Sequence, residues 1–154
     1  LSLDIDDCFE SRFDLIILHS FLIFYYFKKN DKNKNKLAQS LFDFMFEDFD
    51  NNLREMGFGD IAVNKKMKVF ISAFYGRVAN YSKGIDQLLY QKNEHVIKKS
   101  IQNNLYKGNL MNKPSCKFFI NYITGNIENF EMRSEKENLD LRFQFINLPD
   151  GKNN

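Results

Sequence analysis

Residues 13–27 read FDLIILHSFLIFYYF. At helical spacing this run is apolar nearly all the way round, so it must be enclosed on every side. It is shorter than the ~20 residues a membrane-spanning helix needs, and it carries Asp14, His19 and Ser20. It therefore predicts a buried helix at the centre of a bundle, over about residues 12–28. The chain has only two prolines and no long alternation of apolar and polar residues, so sheet is not expected. Its 154 residues are enough for one core. The expected fold is all-α: a single-domain bundle of about five helices with a short irregular C-terminal tail. Residues 1–11 form an N-terminal extension, 12–134 the helical domain and 135–154 the tail.

The solvated stretch NDKNKNK separates the first helix from a second over 36–56. There Leu37, Leu41, Met45, Phe49, Leu53 and Met56 share one face. Asp43, Glu47, Asp50 and Arg54 follow one another on a second face. A third helix, 63–90, carries Met67, Ile71, Phe74, Val78, Tyr81, Ile85 and Leu88 in alternating steps of four and three, as a packed bundle helix does. A short basic helix over 92–106 and a fifth over 115–132 complete the series, with Pro114 suited to a helix start. The last helix turns Phe119, Tyr122, Ile123, Ile127 and Phe130 inward. In the tail, LRFQF has the character of an extended packed segment.

Two glycine-bearing motifs, LREMGFGD at 53–60 and FYGR at 74–77, are unusual in such helices. Gly57 stands where a helix C-cap needs positive φ. Gly59 allows a second sharp bend, and Asp60 is placed to cap the following amides. Gly76 lies in a line of small residues with Ser72 and Asn80. The expectation is that it admits a neighbouring backbone.

Net charge is only +2, but residues 64–117 carry eleven Lys and Arg against Asp86 and Glu94. Lys65, Lys66, Lys68, Lys98 and Lys99 stand out in this basic third. Such a patch suits RNA or an anionic membrane surface. Two lone cysteines, Cys8 and Cys116, fit a reducing compartment. The acidic start LSLDIDD is opposite in charge to a transit peptide or signal n-region.

Catalytic chemistry is weakly supported. No Glu-x-x-His pair, zinc cluster, nucleophile triad or phosphate-cradling loop is legible. No metal or cofactor is expected. The face of Asp43, Glu47 and Asp50 could serve a metal-dependent helical enzyme, against the simpler reading of a solvated face partly paired with Arg54.

The blocks FDLIILH (13–19), AQSLFDFMFEDFDNNLREMGFGDIAVNKKMK (38–68) and AFYGRVANY (73–81) resemble, in order and spacing, the ubiquinol–cytochrome c chaperone family, and its bacterial branch in particular. The resemblance covers about residues 12–90. It implies an α-helical, non-catalytic assembly factor for the respiratory cytochrome b–c complex. Its mitochondrial members work with a small partner protein near the ribosomal tunnel exit and hold newly made cytochrome b through early haem loading. Cytochrome b is thus the implied client, with the ribosome or an anionic membrane as a further contact and no role for DNA. The implied location is the bacterial cytoplasm, peripherally on the inner membrane (mitochondrial in a eukaryote). By motif, the positions carried over are Asp50, Leu53, Arg54, Glu55, Gly57, Gly59 and Asp60 at the corner, and Phe74, Tyr75, Gly76, Arg77 and Tyr81 on the third helix. Arg54 and Arg77 either pair internally or face a partner. A helical adaptor for ribosomal RNA or anionic membrane is the alternative function, with the metal-dependent enzyme behind it.

Overall fold

A computed structural model describes residues 3–30, 35–136 and 144–146. It contains α1 (Phe9–Asn30), α2 (Asn35–Glu55), α3 (Asp60–Gln91), α4 (His95–Leu105) and α5 (Lys113–Lys136). No strand occurs among the described residues. The all-α bundle expected from periodicity is the one observed.

Helix α1 is the axis of the core and packs on each of the other four helices. Phe13, Ile17, Leu18, Phe21, Leu22, Tyr25, Tyr26 and Phe27 are all buried along it. Burying one such side chain contributes about 1.5–3 kcal/mol, so this helix alone is a large share of the folding drive. Gln144, Phe145 and Ile146 lie against α5. The Ile146 amide donates to Asn126 Oδ1 at 2.9 Å, and the Phe145 ring meets His19 edge-on at 4.9 Å. The rest of the predicted tail, beyond Lys136, lies outside the described residues.

The α2–α3 corner follows the expected chemistry at its first glycine. Gly57 has φ +87°. The Phe58 amide donates to Leu53 O and the Gly57 amide to Arg54 O, which closes the carbonyl end of α2 in a Schellman motif. The second glycine differs from expectation. Gly59 has φ −74° and ψ 162°, ordinary extended backbone, and a Cβ there would meet nothing within 4 Å. It is the N-cap of α3, and Asp60 is the first residue of that helix, three positions earlier than periodicity suggested. Asp60 makes no cap bond. Its carboxylate turns back to Arg54 instead.

The expected role of Gly76 is also corrected. It is exposed, and a Cβ would meet nothing within 4 Å. The line of small residues Ser72, Gly76 and Asn80 faces solvent. Close approach occurs one face round, at Gly84, where a Cβ would stand 2.9 Å from both Cα and N of Ile97. That contact lets α3 and α4 pack backbone to backbone, and theirs is the most extensive helix pairing in the molecule. Leu37 and Met56, at the two ends of the α2 stripe, are exposed, while Met45, Phe46, Phe49 and Leu53 carry its burial.

The two glycines of α3 should therefore respond to alanine with opposite sign. Gly84→Ala should destabilise by about 1–3 kcal/mol through overpacking. Gly76→Ala should stabilise by up to about 1 kcal/mol through helix propensity. Urea unfolding of both variants checks this, and equal shifts would contradict the packing described.

Candidate functional site: an aromatic groove beside a buried ion pair

The AFYGRVANY block divides between two faces of α3. Phe74 is buried, and its ring is ringed by aromatics. Phe42 lies at 5.2 Å, Phe46 at 5.5 Å and Phe24 at 5.7 Å, all close to edge-on. Edge-to-face packing of this kind fixes ring positions as well as burying area. Beside these rings, Phe24, Ala38, Gln39, Phe42, Phe74, Tyr75 and Val78 line an open groove of about 310 Å³ between α1, α2 and α3, apolar but for Gln39. Tyr75 stands on its rim, 60% exposed, with its ring 5.9 Å from Phe42. Tyr75 is thus a large aromatic held by its neighbours but largely open to solvent.

Two residues on, roughly half a helical turn away, Arg77 points inward. Its Nε lies 2.5 Å from Oδ1 of Asp14, whose side chain is 0% exposed; the contact is an ion pair without the alignment of a hydrogen bond. The second oxygen of Asp14 accepts from Lys107 Nζ at 2.7 Å. The guanidinium also covers the Phe13 ring at 5.5 Å. Lys107 is in the left-handed conformation in the α4–α5 connection, at φ +51°. One buried carboxylate on α1 thereby holds α3 and that connection together. An isolated buried charge would be expensive, so the two cations are what make Asp14 tolerable in the core. Tyr81, one turn further along α3, is fully buried, and its hydroxyl accepts from Asn104 Nδ2 at 2.9 Å. Burial pushes that phenol up to about 12.

At the corner, Arg54 bridges Asp50 and Asp60, each at 2.5 Å. The bond to Asp50, then that to Asp60, raises the guanidinium further above its already high range. Asp50, Arg54 and Asp60 thus form one clamp from α2 to α3. Leu53 is buried, and Glu55 is exposed. The clamp takes up Asp50, while Asp43 accepts from Gln39 Nε2 at 2.7 Å. Among the described residues no group of three or more His, Cys, Asp and Glu could hold a metal.

The five lysines do not behave as one set. Lys65, Lys68 and Lys99 are exposed. Lys66 lies 4.6 Å over the Phe58 ring, and Lys98 pairs with Glu94. His19 is a core histidine: Nδ1 donates to Leu15 O at 2.7 Å, which leaves Nε2 to accept from the Tyr122 hydroxyl at 2.9 Å. Asp14 and Lys107 escaped sequence reasoning. The available signal was a single acid inside an apolar helix, which demands a partner wherever it is buried.

The model of the ubiquinol–cytochrome c chaperone family matches residues 1–145. The chain belongs to the ubiquinol–cytochrome c chaperone family. Among solved structures it is similar to the crystal structure of the Cbp3 homolog from Brucella abortus, with a TM-score of 0.78 and 25% identity over 94% of this chain and 77% of that one. A search of curated protein sequences finds no match. Family membership makes the chain an assembly chaperone of the cytochrome b–c complex, and it covers both the corner and the α3 block.

Removing a partner from the Asp14 site should cost stability unequally. Arg77 is 22% exposed and Lys107 43%. Arg77→Met should destabilise by about 3 kcal/mol, because it strands much of a buried charge. Lys107→Met should cost about 1 kcal/mol, since that pair reaches solvent. The double variant Asp14→Leu, Arg77→Met should be more stable than Arg77→Met alone. Denaturant unfolding measures all three, and a double variant no better than the single one would show that Asp14 is not the group Arg77 serves.

Proposed function

We propose that this chaperone is non-catalytic and receives newly made cytochrome b on the aromatic groove between α1, α2 and α3. The observation that carries the reading is the split of the shared block: Phe74 and Arg77 face inward while Tyr75 stands 60% exposed on the rim of a largely apolar groove. Large exposed aromatics beside a preformed, largely apolar groove are favourable anchors for an apolar segment. A membrane protein awaiting insertion offers such segments, and its helices match the groove in chemistry. The Arg54 clamp then serves the client indirectly by holding α2 to α3, and the Asp14 pair by holding α3 to α1.

The role needs no membrane span of its own, and no described helix is long and apolar enough to cross a bilayer. A small partner assembly protein and peripheral placement on the bacterial inner membrane complete the proposal. Exposed Lys65, Lys68 and Lys99 favour a second contact, with ribosomal RNA or anionic lipid.

The test is affinity capture from the native organism with the parent chain and with Tyr75→Ala. The parent should enrich cytochrome b. An interface anchor is worth at least about 2 kcal/mol, so Tyr75→Ala should lower that enrichment by about thirtyfold. Its unfolding midpoint should move little, because the side chain is mostly exposed. Undiminished capture by a folded Tyr75→Ala protein would remove the groove from the account. Absence of cytochrome b from the parent's capture would remove the client.

A further inference from the structure

A second groove, of about 580 Å³, lies between α4 and the start of α5 and shares no lining residue with the aromatic groove. Three ammonium groups border it: Lys98 from α4, and Lys113 and Lys117 from α5. Glu94 is the one carboxylate there, and Lys98 already engages it. Lys113 and Lys117 have no acidic partner among the described residues. They stand four apart in the opening turns of α5, on one face, and the first turn of that helix holds no acid. This is the end of a helix where the backbone dipole disfavours cations. Capping does not account for them, since an ammonium only donates and cannot accept from the free amides of a helix start, where Asn112 Oδ1 accepts from the Ser115 amide at 2.7 Å. The groove thus gathers two uncompensated positive charges beside Ile120, Asn121 and Cys116.

We propose that this groove binds a phosphomonoester, with the phosphate between Lys113 and Lys117 and the rest of the ligand along Ile120. A phosphomonoester carries about −1.5 to −2 charges at neutral pH, which matches two unpaired lysines. Lysine acts as a compact point charge with freely turning donors and is a usual partner of phosphate oxygens. The volume lies within the ordinary range for small-molecule sites. The phosphate comes either from a soluble ester or from a lipid headgroup. The site is independent of the aromatic groove and of the client, and nothing in the chaperone reading requires it.

Cys116 supplies the readout, because it lines the groove and is a half-buried free thiol. In a Cys8→Ser protein, alkylation of Cys116 is followed with glycerol 3-phosphate as the soluble probe and phosphatidic acid vesicles as the lipid probe. Protection by both, or by either alone, supports the site and says which source it accepts. Each of Lys113→Gln and Lys117→Gln should weaken that protection about tenfold, as expected for a lost charge-assisted bond. The unfolding midpoint should stay in place, because both lysines are exposed. Protection should also weaken as pH falls through about 6, where the second phosphate charge is lost. Lack of protection by either probe overturns the proposal. So does protection that survives the two lysine changes, or protection conferred by ribosomal RNA alone.

Discussion

A carboxylate sits at the centre of this protein, and the bundle is arranged to tolerate it. Asp14 belongs to the helix that every other helix packs against, and its side chain is entirely buried. An unpaired charge there would be costly to the core. Arg77 and Lys107 meet its two oxygens, from α3 and from the connection that follows α4. The pair constrains more than charge. With Arg77 held inward against Asp14 and Phe13, the rotation of α3 about its own axis is set. Tyr75, two residues earlier, is then carried to the outer face beside Phe42. The Arg54 clamp does comparable work at the corner, fixing how α3 leaves α2.

One short block therefore does two jobs. Phe74 and Arg77 build the interior, while Tyr75 and Gly76 remain outside. A residue-by-residue transfer of motif positions cannot separate these, because adjacent positions on a helix point in different directions. The structure sorts them by burial: Leu53, Phe74 and Tyr81 are core, and Arg54 with Asp50 and Asp60 is a surface clamp. Tyr75 is left as the large aromatic of the set open to a partner.

Most of the architecture was legible in the chain. The all-round apolar run from Phe13 to Phe27 had to be central, and it is. The four-three series through Phe74, Tyr81, Ile85 and Leu88 marked the buried side of α3, because apolar periodicity reports directly which face avoids water. What periodicity does not report is what lies opposite. Gly76 and Gly84 look alike in sequence, yet only Gly84 touches Ile97, since close approach depends on where α4 passes. Gly84 does fall between Tyr81 and Ile85 on the buried stripe, which was the one local clue. Asp60 resembled a cap by type, but Arg54 competes for its carboxylate across six residues, a tertiary effect beyond local pattern. The Asp14 pairing spans 63 positions to Arg77 and 93 to Lys107, a distance at which sequence spacing carries no information.

The central claim is that the face of α3 bearing Tyr75 meets the client while the rest of that helix serves the fold. A photo-crosslinking amino acid placed at position 75, and in a separate protein at exposed position 90 near the far end of α3, tests this most directly in cells making cytochrome b. The account predicts a crosslinked product containing cytochrome b from position 75 and none from position 90. Equal crosslinking from both positions, or crosslinking from position 90 alone, would contradict it.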